Sequence, residues 1–155
     1  MGKKLLFCDV DGVLHPLPPL AQMASATLFS PPCMAQLKRV IKETGAQIIL
    51  SSSWRCFEGT RNQLAVALGQ HGLHVADCTP IPDLGDGRAG QILRYLQQHG
   101  DEVESWAVVD DEEVVQGEGL MMQVLAQNFV RTNGATGISV SDADQLIEIL
   151  NSDNG

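Results

Sequence analysis

The sequence has no CxxC pair, and its four cysteines, Cys8, Cys33, Cys56 and Cys78, stand far apart. Zinc-ligand spacing is therefore missing. A chain of 155 residues is long enough to bury a real core without a disulfide framework, so free, mostly buried thiols are expected. Long apolar runs are missing too: none approaches the ~18 residues a membrane helix needs. The opening Lys3-Lys4-Leu5-Leu6-Phe7-Cys8 has the outline of a signal peptide, but its apolar part is too short and Asp9 ends it. A cytoplasmic location, with no membrane partner, is the expectation. Basic residues are scarce, 10 Lys and Arg against 19 Asp and Glu, for a net charge of -9. Such a surface repels phosphate backbones and disfavours broad, non-specific nucleic-acid binding, while a local basic patch at a site stays compatible with it. Repeats, low-complexity tracts and long linkers are also lacking, and one domain over residues 1–155 is expected.

What is present is an alternation of short apolar runs with amphipathic segments. Lys4 to Cys8, Gln47 to Leu50, His74 to Ala76, Trp106 to Val109 and Asn128 to Arg131 read as strands, brief and rich in Leu, Ile and Val, as strands covered on both faces are. Ser30, Pro31 and Gly45 punctuate a first helix with Met34, Leu37, Val40 and Ile41 on one face. A second runs from Thr60 to His71. A third runs from Arg88 to His99, with Ile92, Leu93 and Leu96 inward and Gly100 as its stop. Ser141 with Asp144 resembles a capping box before a last helix carrying Leu146, Ile147 and Leu150. Alternating strand and helix points to an α/β fold, a mainly parallel five-stranded sheet with helices on both faces. Ligands bind such sheets at the carboxyl ends of the strands.

Four of those ends or junctions carry chemistry. Asp9 and Asp11 follow the first strand in Asp9-Val10-Asp11-Gly12-Val13. Two positions apart on an extended chain, their side chains can face the same way, and Gly12 permits the turn away. Paired carboxylates repel unless a cation neutralises them or one is protonated. A hard cation such as Mg2+ takes oxygen ligands, waters and substrate phosphate; a pair of solvated turn aspartates is the competing reading. Ser51 closes the second strand within Ser51-Ser52-Ser53-Trp54-Arg55. Its hydroxyl suits a phosphate oxygen or a helix cap. Asp110 and Asp111 close the fourth strand, as helix-capping acids or as a second metal-facing pair. Arg88 opens the third helix, where the macrodipole disfavours a cation, which mildly supports a site role offsetting phosphoryl charge.

In their order, these four motifs resemble the haloacid dehalogenase (HAD) superfamily of phosphohydrolases across the whole chain. Asp9-Val10-Asp11-Gly12-Val13-Leu14-His15-Pro16 with Ser51-Ser52-Ser53-Trp54-Arg55, and the late segment from Thr132 to Ser139, look more narrowly like the branch associated with RNA-repair proteins. The resemblance implies a Rossmann-like three-layer sandwich and a Mg2+-dependent phosphatase. Asp9 would be the nucleophile that forms an aspartyl-phosphate. Asp11 would protonate the leaving oxygen and then activate water. Ser51, helped by Ser52, would hold phosphoryl oxygens. Arg88 stands where the family more often has lysine, keeping the charge but changing the geometry. The implied metal residues are Asp9, Asp11, Asp110 and Asp111, with the last two not separable by sequence.

Neither the stretch from Gly12 to Phe29 nor the Thr79 to Gly87 loop is long enough for a folded cap. An uncovered site admits a large substrate, a nucleic-acid end or a phosphoprotein, with Pro16-Leu17-Pro18-Pro19-Leu20 as a small flap. His15 reads equally as a leaving-group contact or a structural residue. Trp54 reads as packing, Arg55 as either packing or a platform for a base or phosphate, and Met121-Met122 as core filler. A phosphoacceptor signalling domain or a non-catalytic module on the same fold are the alternatives. In a phosphoacceptor domain the acceptor aspartate follows a later strand, whereas here the spaced pair with glycine comes first. Binding alone needs no nucleophile and acid together.

Overall fold

The computed structural model describes residues 2–17, 28–80 and 87–152. Five strands, β1 (Lys3–Cys8), β2 (Gln47–Leu50), β3 (Val75–Cys78), β4 (Val103–Asp110) and β5 (Phe129–Arg131), form one sheet in the order β3-β2-β1-β4-β5. Every neighbouring pair is parallel. The helices are α1 (Pro31–Thr44), α2 (Glu58–Gly69), α3 (Arg88–His99), α4 (Leu120–Gln127) and α5 (Val140–Asn151). Among the described residues no helix is long and apolar enough to cross a membrane.

Side chains on β1 alternate between two cores, as the period of a strand requires. Leu6 and Cys8 pack with Met34, Leu37 and Val40 of α1, Leu64 and Leu68 of α2, and Leu146 and Leu150 of α5. Leu5 and Phe7 point the other way, onto Ile92 and Tyr95 of α3 and Leu125 of α4. The result is a three-layer α/β sandwich of Rossmann-like form. Full burial contributes about 1.5–3 kcal/mol for each such Leu or Phe, so β1 is anchored from both sides.

Several element boundaries move. β3 is Val75–Cys78 rather than His74 to Ala76, and α2 starts at Glu58. The last capping box is made by Ser139 and Asp142, two residues earlier than the Ser141 and Asp144 pairing: the Ser139 side chain accepts from the Asp142 N–H, and Asp142 accepts from the Ser139 N–H. Both pairs have the same spacing, and pattern alone does not separate them. In α3 the buried apolar positions are Ile92 and Tyr95, with Leu93 and Leu96 only half-buried. The short helix α4 carries Met121 on its exposed side, while Met122 packs against the second core. Met121 is therefore not core filler.

The chain leaves β1 for β2 and β3 on one side, then crosses to β4 and β5 on the other. Strand order reverses between β1 and β4, and the crevice outside the carboxyl ends of these strands is where this architecture binds ligands.

Candidate active site

Asp9 and Asp110 stand side by side at that crevice. Asp9 continues β1, its N–H donating to the Val109 carbonyl at 3.1 Å, and Asp110 ends β4. Ser51 follows β2, its N–H donating to the Cys8 carbonyl at 3.1 Å. The sheet thus carries Ser51, Asp9 and Asp110 on adjacent strands. Oxygens of Asp9, Asp110 and Asp111 lie within 4.8 Å of one another, with Asp9 and Asp110 buried and Asp111 partly exposed. This all-carboxylate donor set suits a hard divalent cation. The Asp11 carboxylate lies outside that group, engaged by His15 and Trp54.

Gly12 makes the close approach possible. It has a left-handed φ of 77° and its N–H donates to the His15 carbonyl at 2.9 Å. A Cβ there would lie 2.5 Å from the Asp111 Cγ and 2.8 Å from its Cβ, so only glycine fits the position. The Gly12 carbonyl in turn accepts from the buried Thr132 hydroxyl at 2.7 Å, and the Val13 carbonyl accepts from the Ile138 N–H at 2.9 Å. The segment after β5 thereby clamps the turn after β1.

Arg88, the first residue of α3, reaches across to the carboxylates. Its Nη1 pairs with Asp110 and lies 3.3 Å from Asp9 Oδ1. Asp110 is fully buried, and its other oxygen accepts from the Glu112 N–H at 3.0 Å. Burial works against the Arg88 charge, but Asp110 and Asp9 outweigh it and raise the guanidinium further above neutrality. Asp9 is pushed up to about 8, by burial first and then by the charge of Asp110 and the hydrogen bond with Asp111; Arg88 and the Val10 backbone N–H pull the other way. Burial and Asp110 also raise Asp111. Carboxylates crowded in this way repel one another unless a proton or a cation lies among them, and that crowding is the physical sign that the group fits a metal.

Asp11 behaves oppositely. The hydrogen bond with His15 holds its carboxyl below the ordinary range, with Trp54 adding to it, and together they overcome burial. His15 is buried, and Trp54 packs against His15 and Phe29 while donating to Asp11 Oδ2 at 3.0 Å. Trp54 is thus both packing and polar contact, a role its burial alone did not reveal.

Ser51 Oγ is the only buried side-chain polar atom among the described residues without a hydrogen-bond partner. On the strand next to the one that carries Asp9, this hydroxyl is left as an open donor at the strand end. Ser52 instead caps the 3-10 turn Ser53–Cys56, its Oγ accepting from the Trp54 N–H at 3.1 Å. Arg55 is a structural residue rather than a platform: buried, it donates to the carbonyls of Ser51, Ser52, Thr79 and Pro80 and to Gln91 Oε1. It ties the second strand end to the third and to α3. Cys8, next to Asp9, is raised by burial and by the Asp9 and Asp110 charges, which makes it a poor nucleophile. Of the proposed flap, Pro16 and Leu17 are described, Leu17 N–H donating to the Gly134 carbonyl at 2.6 Å; Pro18, Pro19 and Leu20 lie outside the described residues, as do residues 81–86 of the loop before α3.

Comparison with known proteins agrees with this architecture. Residues 5–143 match the family model described as the HAD domain in Swiss Army Knife RNA repair proteins. A crystal structure of a Mesorhizobium loti protein named as a candidate HAD-like phosphatase superposes with a TM-score of 0.56 at 14% identity, covering 99% of this chain and 90% of that one. At that identity the likeness speaks for the fold alone. No curated protein matches the chain.

Proposed function

The chain belongs to the family of HAD domains found in Swiss Army Knife RNA repair proteins, and from that membership we propose that it is a Mg2+-dependent phosphatase acting on phosphomonoesters through an aspartyl-phosphate at Asp9. The observation that carries this reading is the grouping of the Asp9, Asp110 and Asp111 oxygens within 4.8 Å, on the strand end next to the unpartnered Ser51 hydroxyl.

Asp9, Asp110 and Asp111 would hold the cation, whose charge neutralises the acidic group and the incoming phosphate so that the two anions can meet. An Asp9 oxygen attacks phosphorus, and the ester oxygen leaves with a proton from Asp11. Water then attacks the phosphoryl group, giving its proton to the Asp11 carboxylate and regenerating Asp9. Ser51 and Arg88 stabilise the phosphoryl oxygens, while Ser52, whose Oγ accepts from the Trp54 N–H, holds the turn that follows Ser51. Arg88 is held between Asp110 and Asp9. Both carboxylates are met by the one guanidinium nitrogen Nη1.

The substrate class we favour is a terminal phosphate on a large molecule, a polynucleotide end first and a phosphoprotein second. Support comes from the family description and from the segment between Cys8 and Pro31, too short to hold a folded cap. The net charge of -9 argues for recognition of the end rather than of a long backbone. The test is hydrolysis of an aryl phosphate with Mg2+, with chelator, and by Asp9→Asn, followed by a panel of terminally phosphorylated oligonucleotides, phosphopeptides and nucleotides. Mg2+-dependent turnover lost in Asp9→Asn is expected; equal rates in all three conditions would sink the reading.

A further inference from the structure

Both oxygens of the Asp11 carboxylate are already in use. His15 Nε2 lies 2.8 Å from Oδ1, and the Trp54 Nε1–H donates to Oδ2 at 3.0 Å. A third contact fixes the sense of the first: the Phe29 backbone N–H donates to His15 Nδ1 at 3.2 Å. A ring nitrogen that accepts carries no proton, so the proton sits on Nε2 and His15 donates to Asp11. Phe29 has a φ of 54°, the only positive value at a non-glycine residue among those described. That conformation is strained for a residue with a side chain, and strain of this kind persists where surrounding structure enforces it, commonly at working sites. Here the enforcement is visible. The rings of His15, Phe29 and Trp54 pack edge-on or tilted against one another, with centroids 5.4 to 6.1 Å apart.

We propose that His15 and Trp54 are positioning residues that aim the Asp11 carboxylate at the leaving oxygen, with the strained Phe29 N–H setting the His15 tautomer. The proposal rests on the phosphatase reading. An ionised carboxylate offers roughly four lone-pair sites; two are held by His15 and Trp54, which orients the others and leaves them to carry the transferred proton. In the step concerned Asp11 enters in its protonated form: the bond from Asp9 to phosphorus forms as the ester P–O bond breaks, the Asp11 proton passes to the departing oxygen, and the carboxylate left behind is the one that His15 and Trp54 hold and that later takes the proton of the attacking water.

This assignment has a signature that a loss of folding lacks. A p-nitrophenolate leaves as an anion and gains little from a proton, whereas an alkoxide leaves only when protonated. The experiment measures kcat/KM, which reports the steps through transfer to Asp9, for p-nitrophenyl phosphate and for glycerol 2-phosphate with Mg2+. His15→Ala is expected to lose about a hundredfold more on the alkyl than on the aryl substrate. Trp54→Phe keeps the ring and removes only the donor, and a selective loss of about tenfold is expected. His15→Gln retains an N–H donor and should recover part of the alkyl loss. A merely structural role lowers the active fraction and depresses both substrates equally. Equal losses on the two substrates in both His15→Ala and Trp54→Phe, or none, would overturn the proposal while wild-type turnover left the phosphatase reading standing. A wild-type protein that turns over neither substrate with Mg2+ would overturn both.

Discussion

Ser51→Ala should separate stability from activity in opposite directions. The hydroxyl is fully buried and has no partner, and a buried polar group left unsatisfied costs about 1–3 kcal/mol. Replacing it with a methyl removes that cost and deletes one oxygen, too little volume to open a large cavity. For a domain of this size each kcal/mol moves Tm by about 2–4 °C, so the metal-free variant should melt a few degrees above wild type. The same hydroxyl is assigned to a phosphoryl oxygen in the transition state. Loss of one such donor costs about 10²–10³ in kcat. The paired assays are thermal unfolding in chelator and aryl-phosphate turnover with Mg2+. A variant that melts lower than wild type and turns over as fast would refute both halves of the reasoning, placing Ser51 among ordinary structural serines.

Three more outcomes are expected. Gly12→Ala forces a side chain into a left-handed turn, costing about 1–2 kcal/mol, and drives into Asp111; it should melt lower and lose the stabilisation that Mg2+ gives wild type, and an unchanged Mg2+ response would speak against the turn's role. The metal-free protein should become less stable as pH rises. Asp9 titrates near 8 when folded against about 4 when unfolded, so between those values the folded state binds the extra proton and stability falls with pH. Saturating Mg2+ replaces the proton and should flatten the slope; a melting temperature that climbs with pH in chelator would contradict this. Cys8, buried and raised by its acidic neighbours, should resist alkylation in the native protein and react only on unfolding, which mass mapping of the modified peptide would show.

Much of the fold was legible because its signals are local. Strands buried on both faces read as apolar runs, and Pro31, Gly45 and Gly100 mark helix ends. Less visible were features decided by contact. Two capping boxes with identical spacing compete before α5, and only packing selects Ser139. Helix α4 is short and follows a loop, and its exposed Met121 breaks the expected pattern. At the site, the types and order of Asp9, Asp11, Ser51, Arg88 and Asp110-Asp111 are sequence features, but their division of labour is not. Asp110 and Asp111 look alike in sequence. The structure gives Asp110 full burial and Arg88 as partner, and leaves Asp111 against Gly12. His15 and Trp54 stand within the quoted motifs, but their joint hold on Asp11 is not legible there, because a hydrogen bond between residues 11 and 54 is a product of the sheet.

The most direct measurement asks where the phosphoryl group goes. Enzyme quenched during turnover of an aryl phosphate with Mg2+ and reduced with borohydride would convert an acyl phosphate at Asp9 into homoserine, readable by peptide mass spectrometry. Homoserine at position 9, missing when Mg2+ is chelated and in Asp9→Asn, is the expected result. Sustained turnover with position 9 still aspartate throughout would contradict the assignment of Asp9 as nucleophile.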